Sequence, residues 1–175
     1  MGKATSIAVT GTPGTGKSTV CALLKEYQVI DLNELIRKNS KRFQFDEERD
    51  SIDVDISILK GLLPMMTGIR IIEGHLAHLL GPDIAIILRC SPKMLKERLK
   101  KKNWSKEKIQ ENLEAEAVDV ILIEAEDTDA EILEIDTTKM SPDEVAEAIR
   151  EIIAGERRKY RPGNIDWSKE VLDWY

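Results

Sequence analysis

Short apolar runs alternate with stretches of helical period along the whole chain. Five of these runs have the length and composition of β-strands, and they predict strands at residues 6–10, 28–31, 70–73, 84–89 and 131–136. The fourth run is apolar at successive rather than alternating positions, which is typical of an interior strand buried on both faces. Strands that alternate with helices predict an α/β fold in which helices cover a parallel sheet.

The intervals between the strands carry helical patterns. Helices are predicted at residues 17–26, 32–38, 53–63, 92–101, 106–126 and 142–154. Two of them have well-marked starts, because Ser91-Pro92 and Ser141-Pro142 each combine an N-cap residue with proline at the first helical position. Residues 155–175 lie outside this alternation and are interpreted as a C-terminal extension.

The first predicted strand leads directly into a glycine-rich loop. Residues 11–18 read Gly-Thr-Pro-Gly-Thr-Gly-Lys-Ser, which matches the phosphate-binding pattern G-x-x-x-x-G-K-[ST] between a strand and a helix. Glycines lack a Cβ, so the backbone N–H groups of such a loop can point at a phosphate. Lys17 is expected to reach the β- and γ-phosphates, and Ser18 is expected to bind the accompanying magnesium ion. A glycine-rich turn without this role is the minor alternative.

A second acid is expected at the end of a neighbouring strand, where it would hold magnesium through water. Glu73 ends the third predicted strand, and His75 follows it closely. Both are expected at the carboxyl edge of the sheet, where ligands bind in open α/β folds, and His75 is a candidate for orienting an attacking water. The alternative is that Glu73 caps a helix starting near Leu76 and that His75 is merely exposed. His78 is interpreted as helix surface or packing, because H-x-x-H lacks a third ligand.

Three arginines are candidates for phosphate contacts outside the loop. Arg98 belongs to a lysine-rich stretch that we interpret as a lid over the triphosphate, although single lysines there are better interpreted as solvated. Arg37 and Arg89 are predicted to reach the crevice and to bind a second phosphate through bidentate contacts. A structural ion pair is the alternative for Arg37. Residues 40–53 are interpreted as a mobile flap over an acceptor.

Composition narrows the picture further. The chain has 175 residues, 42% of them hydrophobic, and a net charge of −6, which suits one compact domain and disfavours non-specific binding to nucleic acid. No apolar stretch approaches the roughly 20 residues of a membrane span, so we expect a cytoplasmic protein without membrane contact. Cys21 and Cys90 lie far apart in apolar surroundings, which predicts buried free thiols, no disulfide and no zinc site.

Three features together resemble a known family. The loop at residues 11–19, Glu-Gly-His at residues 73–75 and a short lid at about 101–111 look like the adenylate-kinase-like ribosome-maturation ATPases of archaea and eukaryotes, the CINAP family. The resemblance implies a three-layer P-loop nucleoside-monophosphate-kinase fold with a five-stranded parallel sheet. It implies a core at 1–154 with a small NMP-binding insert at about 31–54, and it does not cover the C-terminal extension at 155–175. It also implies Mg²⁺ with ATP, AMP as a substrate, adenylate kinase and ATPase activity, and transient contact with a pre-ribosome through a small-subunit ribosomal protein of the S11 class.

The resemblance assigns individual residues. The ATP-binding loop of the family is matched by Gly14, Gly16, Lys17, Ser18 and Thr19. Arg37 matches the arginine of the monophosphate-binding region, and His75 matches the histidine of an Asp-x-His element in which Glu73 replaces the aspartate. Lys102 stands where other members have a lid arginine, so it keeps the charge and loses the bidentate fork. The expected catalytic groups are Lys17, Glu73, His75 and Arg98.

Three other functions remain open at this point. A GTP-binding switch is disfavoured, because residues 138–141 read Thr-Lys-Met-Ser and lack the acid of the guanine-binding pattern. An assembly chaperone whose nucleotide site regulates binding of a basic ribosomal protein would use the acidic segments at 46–55 and 111–134. A kinase for another small molecule is also compatible with this loop and sheet.

Overall fold

A five-stranded parallel sheet forms the centre of the molecule, and the computed structural model describes residues 4–46, 51–65, 67–172 and 174. In chain order the strands are β1 (Thr5–Thr10), β2 (Gln28–Asp31), β3 (Gln44–Asp46), β4 (Ser51–Asp53), β5 (Ile69–Glu73), β6 (Ile84–Arg89) and β7 (Glu131–Asp136). The central sheet has the order β2-β5-β1-β6-β7. All five predicted strands are confirmed, and the first and third begin one residue earlier than predicted.

Eight α-helices lie between and after the strands in the described part of the chain. They are α1 (Lys17–Cys21), α2 (Leu32–Lys38), α3 (Ile56–Gly61), α4 (Pro92–Lys100), α5 (Lys106–Ala117), α6 (Val120–Glu126), α7 (Pro142–Ala154) and α8 (Ser168–Leu172). Short 3₁₀ helices add Ser40–Arg42, Ala77–Leu80 and Arg158–Tyr160. The predicted proline starts of α4 and α7 are confirmed, with Ser91 and Ser141 accepting hydrogen bonds as N-caps.

Apolar side chains alternate between the two faces of the sheet, and each face has its own core. In β1, Ile7 and Val9 belong to the core that α1 and α7 cover, while Ala8 belongs to the core on the side of α2 and α3. β6 is buried at every position, as its uninterrupted apolar run predicts. The result is the predicted three-layer arrangement. Cys21 and Cys90 are buried free thiols, also as predicted.

Three helices differ from the prediction in their bounds or continuity. The predicted helix at 106–126 is split into α5 and α6, because Asp119 adopts a left-handed conformation with φ 58°. The side chain of Asp119 pairs with Arg89, and this distant contact holds the break in place. α3 begins at Ile56 rather than residue 53, because Asp55 is its N-cap. α1 ends at Cys21, earlier than predicted.

Two segments lie beside the sheet. The predicted flap at 40–53 contains a 3₁₀ turn and the antiparallel hairpin β3–β4, and its residues 47–50 lie outside the described residues. After α7 the chain turns at Gly155 and returns along the sheet, where the N–H of Gly163 donates to Glu134. The division of the chain into core, insert, lid and extension stays a prediction. Among the described helices, none has the length and apolar character needed to cross a membrane.

Candidate active site

The glycine-rich loop between β1 and α1 is shaped by close approaches that exclude side chains. Gly11 has φ 139°, and a Cβ at this position would lie 2.4 Å from the carbonyl oxygen of Leu88. Gly14 has φ 95°, and a Cβ there would lie 2.8 Å from the side chain of Leu99 on α4. Both positions therefore require glycine, for the left-handed backbone and for the space. These contacts fix the loop against β6 and α4.

Lys17 is held inside this loop by carbonyl groups. Its ammonium donates to the carbonyl oxygens of Gly11 at 2.7 Å and Thr12 at 3.1 Å, and the residue is only 8% exposed. Burial lowers the pKa of Lys17 to about 8, while the nearby carboxylate of Glu73 acts in the opposite direction. A carbonyl oxygen carries only a partial charge, so the positive charge of Lys17 is oriented and still available to an anion.

Glu73 and Ser18 place two oxygen atoms beside this lysine. Glu73 ends β5 and is 2% exposed, and its Oε1 accepts a hydrogen bond of 3.1 Å from the Ser18 hydroxyl. Burial raises the pKa of Glu73, and so does neighbouring Asp31, whereas the Ser18 hydrogen bond and Lys17 lower it. Hydroxyl and carboxylate oxygens are ligands that Mg²⁺ accepts alongside water and phosphate oxygens. The donor set therefore fits the ion that the sequence predicts.

The two histidines after β5 lie in different environments. His75 is exposed to the cleft, and partial shielding from water together with the charge of Lys17 lowers its pKa to about 4. His78 is fully buried between the hydroxyl of Thr10 and the carboxylate of Glu124, each 3.0 Å from a ring nitrogen. The packing interpretation of His78 is confirmed. Glu73 bonds Ser18, and no side chain caps the 3₁₀ helix that follows, so the helix-cap alternative for Glu73 is wrong.

Cationic side chains from α4, α5 and their connection also border the cleft. The ammonium groups of Lys102 and Lys108 lie 5.3 and 4.9 Å from the centre of the Trp104 ring, within the range of cation–π attraction. Arg98 is half-buried and donates to the carbonyl oxygen of Thr137 at 2.8 Å and to its hydroxyl at 3.1 Å. Arg98 thus connects the cationic segment to the loop after β7.

Most of the predicted residues meet around one cleft of about 660 Å³. The predicted residues that line it are Gly14, Gly16, Lys17, Ser18, Thr19, Glu73, His75, Arg98 and Lys102. Arg37 is exposed on α2 and does not line this cleft, so its role in monophosphate binding stays a prediction. The roles predicted for the individual lining residues likewise stay predictions.

The structure contradicts the prediction that Arg89 binds a second phosphate. Its side chain is 2% exposed, and its guanidinium pairs with Glu116 at 2.8 Å and with Glu134 and Asp119 at close range. All three nitrogens are thereby used by carboxylates of the protein, and the charges of these acids raise the pKa of Arg89 further. Arg89 is therefore a structural ion-pair partner.

Sequence reasoning missed several lining residues on α5 and α6. Lys108, Asn112 and Ala115 follow a spacing of four and three, which places them on one helical face, and all three border the cleft. Glu124 borders it from α6. The helical spacing is visible in the sequence, but no pattern indicates which face of α5 turns toward the glycine-rich loop.

Comparison with known proteins agrees with this geometry. Residues 7–119 match the family described as "AAA domain". A protein named "Putative adenylate kinase" from Archaeoglobus fulgidus is 51% identical over 172 residues, which is 95% of this chain and 94% of the relative. Relatives of the same name from Methanosarcina barkeri and Methanocaldococcus jannaschii are 42% and 36% identical, and each alignment covers at least 92% of both chains.

Solved structures share the fold at low sequence identity. The shikimate kinase of Acinetobacter baumannii superposes with a TM-score of 0.61 at 17% identity, covering 89% of this chain and 96% of that one. The deoxyadenosine kinase of M. mycoides gives 0.53 at 17% identity, covering 87% and 100%. At this level of identity the likeness concerns the fold, which is that of P-loop nucleoside monophosphate kinases. By its domain match and its full-length archaeal relatives, the chain belongs to the AAA-domain family of P-loop kinases that includes these archaeal adenylate-kinase homologues.

Proposed function

We propose that this kinase transfers the γ-phosphoryl group of ATP to AMP, and that in the absence of an acceptor it transfers the group to water. The observation that carries the proposal is the cluster of Lys17, Ser18 and Glu73 at the glycine-rich loop. It places one cation and two oxygen ligands within a single cleft. The full-length relatives named as adenylate kinases support the same assignment.

In the proposed reaction, the bond between the γ-phosphorus and the bridging oxygen breaks, and a bond to an α-phosphate oxygen of AMP forms. ATP and AMP thus become two molecules of ADP. The backbone of the loop binds the phosphates, and Lys17 stabilises the charge that spreads over the transferred group. Ser18 and Glu73 are the residues that would hold Mg²⁺, which would supply further charge neutralisation when bound. Arg98 and Lys102 line the same cleft and would add positive charge near the transferred group.

His75 is assigned to the water reaction. Its lowered pKa keeps the ring neutral at pH 7, so one ring nitrogen can accept a proton or hydrogen bond from water. Thr10 donates to the backbone carbonyl of His75 at 3.2 Å, which helps to orient the residue. A neutral histidine at the mouth of the cleft suits a water-positioning role.

The acceptor is assigned to the crevice between α2 and the predicted flap. Arg37 is exposed on α2, and its planar guanidinium can bind two oxygens of one phosphate. An assay of phosphoryl transfer from MgATP to AMP, CMP, UMP and water tests the proposal. We expect AMP to be the best acceptor and water a slower one. If no monophosphate is phosphorylated and another small molecule is, the kinase acts on a different substrate.

A role in maturation of the small ribosomal subunit in the cytoplasm is the second proposal, suggested by the family resemblance. The surface that supports it is acidic and lies along α5 and α6. Its exposed residues are Glu111, Glu114, Glu126, Asp127 and Asp129. Such a surface complements a basic ribosomal protein. We expect the purified small-subunit ribosomal protein of the S11 class to bind this kinase at low salt and to change its rate of ATP hydrolysis. Binding without a change in that rate would favour an assembly chaperone.

A further inference from the structure

The buried carboxylate of Glu116 joins three separate parts of the chain. The residue lies on α5 and is 3% exposed. Its Oε2 accepts a 2.6 Å hydrogen bond from the Thr12 hydroxyl in the glycine-rich loop. Its Oε1 accepts from Arg89 Nε at 2.8 Å, from the N–H of Cys90 at 3.2 Å and from the indole N–H of Trp167 at 3.2 Å. Glu116 therefore connects the nucleotide loop with the end of β6 and with the C-terminal extension.

Thr12 is one of the two residues whose backbone carbonyls hold the ammonium of Lys17. The backbone carbonyl of Thr12 accepts hydrogen bonds from Lys17 Nζ at 3.1 Å and from the Thr15 hydroxyl at 2.9 Å. Its side chain is 3% exposed and points to Glu116. If loss of the contact with Glu116 let the backbone of Thr12 shift, this carbonyl would move, and with it the ammonium of Lys17.

Charge balance alone does not account for the position of Glu116. Arg89 contributes one positive charge and already pairs with Glu134 and Asp119. A third carboxylate increases the excess of negative charge in the cluster, which is unfavourable in a buried site unless further donors satisfy it. Those donors are the hydroxyl of Thr12, the N–H of Cys90 and the indole N–H of Trp167.

We propose that Glu116 is a positioning residue for the glycine-rich loop, and that Trp167 of the C-terminal extension orients the carboxylate of Glu116 toward Thr12. The extension thereby sets the affinity of the loop for nucleotide, although Trp167 does not itself line the cleft. This inference rests on the proposed function in one respect, namely that MgATP is the ligand of the loop.

Variants of Thr12 and Trp167 test the inference. The measured quantity is their affinity for MgATP, determined by calorimetry with a non-hydrolysable ATP analogue. Thr12→Val removes the donor and keeps the side-chain volume, whereas Thr12→Ser keeps the hydroxyl. Loss of a hydrogen bond to a charged group corresponds to a loss of about tenfold or more, so we expect this for Thr12→Val and near wild-type affinity for Thr12→Ser. Trp167→Phe removes the indole N–H and keeps an aromatic ring, and we expect a loss of about threefold to tenfold.

Matched controls separate positioning from folding. Trp174→Phe makes the same change at a tryptophan that has no contact with Glu116 among the described interactions, and Glu147→Gln alters an exposed acid on α7 that does not line the cleft. Both are expected to bind MgATP as the wild type does. Urea unfolding of every variant reports stability. A Trp167→Phe protein that is less stable but binds MgATP with wild-type affinity would reduce Trp167 to a structural role and overturn the inference.

The double variant Thr12→Val with Trp167→Phe is decisive. If Trp167 acts on the loop only through Glu116 and Thr12, the double variant binds MgATP no more weakly than Thr12→Val alone. Losses that multiply would show that the two residues act separately, which contradicts the proposed path. A wild-type protein that binds no MgATP would instead overturn the proposed function and this inference with it, so the two failures are distinguishable.

Discussion

Two charged clusters lie at the same edge of the sheet, and they differ in how their cations are satisfied. In the loop cluster, Lys17 is held by two backbone carbonyls. In the arginine cluster, Arg89 is held by three carboxylates. Carbonyl dipoles orient an ammonium without neutralising it, whereas the acids around Arg89 more than balance its charge. The charge of Lys17 is therefore available to a phosphate, whereas the charge of Arg89 stabilises the fold.

The difference shows that proximity to the ligand edge is a poor guide to function. Arg89 ends β6 at the carboxyl edge, where ligands bind in this class of fold. It is nonetheless separated from the cleft, because its guanidinium is directed toward α5 and β7. The partners of a charged side chain, more than its position along a strand, determine whether it acts on a ligand.

The largest effect is expected from replacing the arginine. Arg89→Met leaves Glu116, Glu134 and Asp119 without their cation, and removing one partner of a buried ion pair costs about 3–5 kcal/mol of unfolding free energy. Urea unfolding measures this loss. Arg98→Met makes the same change at an arginine that contacts a carbonyl and a hydroxyl, so we expect a clearly smaller loss of stability. Equal losses of unfolding free energy in the two variants would contradict the difference inferred between the two clusters.

The opposite result is expected for the lysine. Lys17→Ala removes a cation that contacts only carbonyls, so we expect the fold to persist and turnover of ATP to fall by about 10²- to 10³-fold, as for loss of one preorganised electrostatic group. Turnover and thermal unfolding are measured on the same preparation. Wild-type turnover in this variant would remove the phosphate role of the loop.

The same contrast explains which features could be predicted from the sequence. The five strands and the glycine-rich loop depend on local patterns, namely apolar runs and the spacing of glycines, so they could be recognised from short windows. The burial of Arg89 depends on acids that lie 27 to 45 residues away along the chain. No local pattern reports such a partner. The left-handed Asp119 that splits the predicted helix results from the same distant contact.

The candidate site shows the same division. The predicted residues of the loop and of β5 meet in the cleft because the parallel sheet brings the ends of its strands to one edge. The contributions of α5 and the link from Trp167 to Glu116 depend on how helices and the extension pack against that edge. Packing orientation of this kind is a tertiary property, and amphipathic spacing alone does not specify it.

A third prediction concerns the role of His75 in ATP hydrolysis. His75→Ala should lower ATP hydrolysis by about tenfold to a hundredfold, because a group that orients the nucleophile acts mainly in the transition state. MgATP affinity should change little. Hydrolysis rates under saturating ATP and calorimetric affinities make the test, and equal losses in both would place His75 in nucleotide binding or in the fold.

A fourth prediction concerns the acceptor side of the cleft. Arg37→Ala should raise the KM for AMP by roughly tenfold to a hundredfold, since losing a charge-assisted hydrogen bond costs about 1.5–3 kcal/mol. The KM for ATP should stay near its wild-type value. Lys38→Ala on the same helix is the matched control, because its ammonium pairs with Glu34 at the surface. An equal increase of both KM values would argue against a separate AMP site at Arg37.

The smallest expected effect is a change in how stability depends on pH, and it concerns the buried His78. His78 is fully buried, and burial lowers its pKa, although Glu124 acts in the opposite direction. Below the ordinary histidine pKa of about 6.5 the unfolded chain binds a proton that the folded chain does not, so the free energy of unfolding falls as the pH falls through this window. Glu73, whose pKa is raised, contributes with the opposite sign. In His78→Gln the contribution of His78 disappears, while those of Glu73 and of His75, whose pKa is also lowered, remain, so the variant should lose less stability than the wild type between pH 7 and pH 5. Urea unfolding at both pH values measures the difference, and parallel losses in the two proteins would mean that His78 is protonated as readily in the fold as in the unfolded chain.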